Sequence, residues 1–156
     1  MENREIVVKE AYTKMAQLCS RSEQCSTDIR KKIVAYEIMD ELVEEIITKL
    51  KTEKFLDDER YVKAYVSDKF RLNKWGKIKI RHYLKAKGLS DGLIEKGLNE
   101  IDEDQYKKVL IATLKEKAKK VKSTNKYDKT GQIIRFAQSR GFEPEMIHRY
   151  LNEIIK

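Results

Sequence analysis

The acidic run Asp57-Asp58-Glu59 is the best place in this 156-residue chain for paired carboxylates. General acid–base work or cation binding would need a histidine, a phosphate-binding glycine loop or a second acidic set to complete it, and none is nearby in the sequence. The same residues suit a helix start, with an Asp at the N-cap and carboxylates at the positive end of the dipole. Capping accounts for them. Cys19 and Cys25, the only cysteines, stand far from His82 and His148 and are too few for a zinc site, so they read as reduced thiols. Neither a GxxxxGK phosphate loop nor a GxGxxG loop occurs. The chain therefore reads as a non-enzyme that needs no metal or cofactor.

The cations are more informative. Lys74, Lys77, Arg81 and Lys85 recur at intervals of three or four, which places them on one helical face away from Ile80, Tyr83 and Leu84. Lys69 and Arg71 precede them and Lys87 follows. Between Asp68 and Asp91 there is no acidic residue, so a stripe of positive charge that meets an anion stands as an equal reading beside a merely solvated helix face. Trp75 stands at the elbow beside it, suited to capping a core, stacking on a base or entering a protein groove. Arg30, Lys31 and Lys32, with Arg21 before them, occupy corresponding places nearer the N-terminus. Lys126, Lys129 and Arg135 do so nearer the C-terminus.

Those correspondences arise because the chain repeats itself. Residues 29–33 overlie residues 80–84 at an offset of 51, and Ala35, Ile38 and Asp40 then match Ala86, Leu89 and Asp91. A further offset of 53 carries Gly88-Leu89 onto Gly141-Phe142 and residues 98–101 onto the identical residues 151–154. Three copies of a unit of about 50 residues set the architecture. We expect repeats over residues 1–54, 55–102 and 103–156.

The middle copy shows the plan. After the acidic start, Tyr61, Val62, Tyr65, Val66 and Phe70 fall on one helical face. Residues 73–76 break the pattern, and Ile80, Tyr83 and Leu84 resume it. Gly88 suits a left-handed helix end, and the run after it offers a new cap before Leu93, Ile94, Gly97, Leu98 and Ile101. The first copy follows with helices over residues 10–20, 27–35 and 40–51. In the third copy residues 114–122 lengthen the opening helix, residues 123–125 end it, and Asp128 is the expected cap of the next. No strand-like alternation of useful length occurs, so the predicted class is all-α.

Composition agrees. Charged residues are 38% of the chain and hydrophobic residues 40%, with six glycines and one proline. No run approaches the ~18 apolar residues of a membrane span and no secretory signal opens the chain, so a cytoplasmic, monomeric protein is expected. The net charge of +8 is uneven: residues 1–60 hold 11 Lys/Arg against 14 Asp/Glu, and residues 61–156 hold 23 against 12. An anionic partner, nucleic acid or an acidic protein surface, should meet the middle and last repeats.

These residues resemble the RecX family, bacterial regulatory proteins that modulate the recombinase RecA. The carriers are Arg21-Ser22-Glu23 and residues 28–33, then residues 55–65, then residues 76–80 leading to residues 84–89, and finally Arg135-Phe136, Arg140-Gly141-Phe142 and Ile147. Together they span nearly the whole chain in the family's order. There are departures: Asp28-Ile29-Arg30 stands for the usual Glu-Leu-Arg, Lys79-Ile80 for Arg-Ile, and Lys54 for a glycine before the Leu-Asp-Asp motif. The last implies a different ending for the preceding helix.

The resemblance implies three tandem three-helix modules in an elongated, curved protein lying in the groove of the RecA–DNA filament. Such a protein restrains RecA's ATPase, recombinase and coprotease activities in DNA repair and the SOS response. It would meet single-stranded or duplex DNA through the filament. On that reading Arg30, Lys31, Lys74, Trp75, Lys77, Arg81, Lys85 and Lys87 are the candidate partner and DNA contacts. The rival is a direct DNA-binding protein of helix-turn-helix type, but the helices after the tight turns offer few base-reading groups: Lys96 and Asn99 in one, Arg149 and Asn152 in the other.

Overall fold

Nine α-helices and no strand make up residues 2–154, the part of the chain that the computed structural model describes. In chain order they are α1 (Glu2–Arg21), α2 (Ser26–Val34), α3 (Asp40–Thr52), α4 (Asp58–Arg71), α5 (Lys77–Ala86), α6 (Asp91–Leu98), α7 (Glu103–Lys120), α8 (Lys126–Ser139) and α9 (Pro144–Ile154). The class is all-α, as the periodicity indicated. Packing is densest within consecutive triplets: α1 with α2 and α3, α4 with α5 and α6, α7 with α8 and α9.

Side-chain caps decide where α4, α6, α7 and α8 begin. Asp57, Ser90 and Asp102 each accept a hydrogen bond from the backbone N–H three residues on, satisfying a donor that has no partner within the helix. Two starts differ from the sequence reading. Asn125, not Asp128, caps α8, its Oδ1 accepting the Asp128 N–H at 3.0 Å; Asp128 sits in the first turn and takes a bond from Gln132. Helix α1 begins well before residue 10, because its buried residues Ala11, Met15 and Cys19, spaced four apart, mark only the half that α2 and α3 cover.

Helix ends reveal a second correction. Lys54 takes the left-handed conformation, φ 65°, and closes α3 in a Schellman turn: its N–H bonds the Lys51 carbonyl and the Phe55 N–H bonds that of Leu50. The geometry is the one a glycine would give, so replacing glycine by Lys54 changes the strain and leaves the shape. Glu37 (φ 54°), which aligns with Gly88 (φ 79°) and Gly141 (φ 94°), behaves in the same way. A side chain in this region costs about 1–2 kcal/mol, partly offset by the flexibility glycine adds to the unfolded chain. Lys54→Gly and Glu37→Gly should therefore each stabilise the fold by about 0.5–1 kcal/mol. The check is a higher urea midpoint at unchanged slope.

The core does not divide into three. One apolar cluster fills the first triplet with Ile29, Ile33, Val43, Ile47, Leu50 and Leu56. The other is continuous through the second and third, from Val62, Phe70 and Ile80 through Tyr106 and Leu110 to Phe142 and Leu151. Backbone groups complete that union. Helix α5 has no side-chain cap, and its first donors are taken by the third triplet: Gly76 N–H by the Arg140 carbonyl (2.7 Å), Lys77 N–H by the Tyr106 hydroxyl (2.9 Å) and Ile78 N–H by the Gly141 carbonyl (3.0 Å). The first triplet joins the second largely by polar links, Ser26 to Asp58, Asp28 to Lys87 and Glu23 to Arg60, with Cys25 buried in the larger core. The accessible surface, 10118 Å², exceeds the roughly 8,200 Å² expected of a compact 18.4 kDa monomer.

Candidate functional site

The stripe that lacks acids in sequence acquires them in space. Arg81 on α5 forms a two-pronged pair with Glu95 on α6, at 2.6 and 3.3 Å. Lys85 meets Asp91 at 3.4 Å, Lys77 meets Glu103 at 3.1 Å, and Lys87 reaches back to Asp28 on α2 at 2.8 Å. In the first triplet Arg30 is held by Glu44 in the same forked geometry as Arg81, at 2.6 and 3.2 Å. Each carboxylate comes from a neighbouring helix. Lys74 also departs from the predicted face: it lies before α5, left-handed at φ 59°, and its ammonium turns back to bond the Arg71 carbonyl at 2.8 Å. Lys31 is exposed and has no carboxylate partner among the described residues.

The acidic trio is likewise divided. Asp57 caps α4, Asp58 accepts the Ser26 N–H and hydroxyl at 2.9 and 2.8 Å, and Glu59 pairs with Lys96 (2.5 Å). Cys19 and Cys25 are both free thiols, both buried. Among the described residues, no three His, Cys, Asp or Glu side chains converge as a metal site would require.

The Arg81–Glu95, Arg30–Glu44 and Lys87–Asp28 pairs hold their charge through the neutral range. The bond from Arg81 keeps the Glu95 carboxyl below its ordinary value, and that from Arg30 does the same for Glu44. Burial pushes the Asp28 carboxyl up, but hydrogen bonds with Lys87 and Cys25 outweigh it and the net shift is downward. A polyanion arriving at Arg81 or Lys87 must therefore displace a carboxylate already in place.

What remains open is the elbow around Trp75. Its indole stacks on Tyr83, ring centroids 5.1 Å apart and planes inclined by 29°, so Tyr83 lies 44% exposed rather than on the buried face with Ile80 and Leu84. The Lys79 ammonium lies 4.5 Å from the indole centroid and that of Lys69 4.9 Å, with Lys69 also 5.4 Å from the Tyr65 ring. His82 meets the edge of Tyr83. Neither Lys69 nor Lys79 has a carboxylate partner among the described residues. Burial pushes the neighbouring Tyr61 phenol up to about 12 and Tyr65 in the same direction, so both remain neutral donors. Flat rings, half-exposed, interleaved with ammonium groups that no described carboxylate neutralises form a surface suited to an anionic partner with planar or apolar groups.

This surface lies within residues 57–98, which match the family model for the second three-helix domain of RecX. Similarity extends well beyond that segment. The regulatory protein RecX of Clostridium tetani (strain Massachusetts / E88) is 29% identical over 138 residues, 86% of this chain and 62% of that protein. The regulatory protein RecX of Clostridium botulinum (strain Eklund 17B / Type B) is 27% identical over 159 residues, covering 99% of this chain and 73% of the relative. The chain is similar to RecX proteins over nearly its whole length.

A crystal structure of RecX from Lactobacillus salivarius shares the fold, with a TM-score of 0.87 at 19% identity, over 96% of this chain and 97% of the other. The family is one of regulatory proteins, and the chain spans 62% of the length of the C. tetani member. No described helix is long and apolar enough to cross a membrane. Lys79 and Tyr83 are the surface residues that the residue pattern passes over, whereas Lys69 already stands in the run of cations before Trp75. Lys79 and Tyr83 lie four apart on α5, a spacing that puts them on one face. The signal that could have singled out that face is the tryptophan at its N-terminal end.

Proposed function

We propose that this protein binds the RecA–DNA filament and restrains RecA's ATPase, recombinase and coprotease activities. The observation that carries the reading is the carboxylate-free cation–aromatic surface of Lys69, Trp75, Lys79 and Tyr83, on the segment that matches the family's second three-helix domain. Lys74 flanks it and Lys31 offers a second exposed cation on the first triplet, so both are contacts in this reading. Arg30, Lys77, Arg81, Lys85 and Lys87 act mainly by fixing helices through their ion pairs, and add contacts at the rim. A partly open surface of this kind gains by neutralising a polyanion and loses affinity as salt rises.

The test is RecA's DNA-dependent ATPase, measured with the parent and with Lys69→Glu/Lys79→Glu. The parent should inhibit, and the double variant, folded by circular dichroism, should require at least about tenfold more protein for the same inhibition, since two charges are reversed. A parent with no effect on RecA would sink the reading. A folded double variant of full potency would sink the surface. Arg81→Glu is a poorer probe, because it also leaves Glu95 unpaired and loosens α5 from α6. Tight binding to one duplex sequence without RecA would favour a helix-turn-helix function instead.

A further inference from the structure

A second cation–aromatic cluster adjoins the first across the joint between the second and third triplets. Phe136 on α8 lies between Lys117 on α7, whose ammonium is 5.0 Å from the ring centroid, and Arg140, whose guanidinium carbon is also 5.0 Å away. The three residues line a groove of about 450 Å³ together with Lys74 and the exposed Leu72 of the α4–α5 elbow. Lys120 and Glu116, also in the groove, pair with each other at 3.2 Å. Lys74, Lys117 and Arg140 have no carboxylate partner among the described residues.

The two clusters touch. Lys74 precedes Trp75, and Lys79, over the indole, extends its ammonium to 3.3 Å from the Ser139 carbonyl, next to Arg140. The backbone bonds from Gly76 to Arg140 and from Ile78 to Gly141 hold the two sides in register. Five cations without carboxylate partners among the described residues, Lys69, Lys74, Lys79, Lys117 and Arg140, are thus interleaved with Trp75, Tyr83 and Phe136 at one joint.

We propose that this joint is a binding site for single-stranded nucleic acid, with phosphates on the five cations and bases stacked on the rings. Only an unpaired strand offers base faces at the same time as its phosphates, and a sequence-tolerant track of cations and rings is the chemistry that holds one. A duplex hides those faces and would use the cations alone. The inference deepens the reading above by naming the ligand of the Trp75 surface, and it requires binding without RecA.

The experiment is fluorescence anisotropy of a labelled oligothymidylate with the full chain, RecA absent, across a salt series. The single strand should bind more tightly than a duplex of equal length. Trp75→Leu and Phe136→Leu, which keep apolar contact but remove the stacking face, should each weaken single-strand binding about tenfold and leave duplex binding almost unchanged. Lys117→Gln/Arg140→Gln should reduce the slope of log affinity against log salt by about 1.4. Leucine variants that bind the single strand as tightly as the parent, or a parent that prefers duplex, would overturn the proposal, as would displacement by an acidic peptide at equal charge. If oligothymidylate binding fails while RecA inhibition persists, only this inference falls. If binding holds and RecA is unaffected, only the filament reading falls.

Discussion

Gly141→Ala should destabilise the protein by roughly 3–5 kcal/mol, a loss in the range reserved for a few specific structural faults. Gly141 has φ 94°, where an L side chain costs about 1–2 kcal/mol before any contact is counted. An added Cβ would also fall against the Cβ of Lys79, 2.6 Å from its backbone nitrogen and 3.0 Å from its Cα. Those atoms belong to the first turn of α5 and cannot rotate away. Relief requires the α8–α9 turn to retreat, which breaks the bonds that Gly76 and Ile78 donate to it, and orphaning the donor of the buried Gly76 alone costs about 1–3 kcal/mol. Urea unfolding checks this, with Gly92→Ala as the control: nothing lies within 4 Å of that position, and alanine in its helix should be neutral or stabilising by up to about 1 kcal/mol. A Gly141→Ala protein within about 1 kcal/mol of the parent would mean that the joint is not closed as described.

Tyr106→Ala should cost about 3–5 kcal/mol as well, and Tyr106→Phe about 1–3. The ring is fully buried and lies between Phe70 and Phe142, with centroids 5.8 and 5.4 Å away, so alanine would open a cavity in the core that unites the last two triplets. Phenylalanine keeps that packing and removes the hydroxyl. That hydroxyl donates to the Glu143 carboxylate and accepts the Lys77 N–H at 2.9 Å, linking the starts of α9 and α5 through one atom. Burial, reinforced by Glu143, holds the phenol far above its ordinary range, so the link stays intact at any pH at which the fold is studied. Denaturation of the two variants separates the terms. Equal losses would show that the hydroxyl, not the ring, carries the joint.

Much of the architecture was legible in the residue pattern because helical periodicity, caps and glycine turns act over a few positions. Val62, Val66 and Phe70 lie buried where their spacing on α4 put them, and Asp57 and Gly88 perform the local roles their types suggest. The same local logic failed where two residue types could serve. Asn125 preceded Asp128 and took the cap, and Lys54 and Glu37 hold left-handed turns that composition alone would reserve for glycine.

The candidate surface was legible only in part. Trp75 stands out as a residue, but Tyr83 reads as core from its spacing beside Leu84, and only the stack on the indole brings it to the surface. The charge stripe misleads for a related reason: Arg81 meets Glu95 14 positions away, Lys77 meets Glu103 26 away, and Lys87 meets Asp28 59 away.

By itself, then, the sequence determined the all-helical class, the cap at Asp57 and a positive balance concentrated after residue 60, since these depend on neighbours along the chain. The tertiary structure decided which cations are spent on internal pairs and which stay free around Trp75 and Phe136. It also decided that the second and third triplets share one core while the first is joined mainly by polar links. Coulomb attraction and packing act through distance in space, and helices that cross bring together residues that no period in the sequence connects.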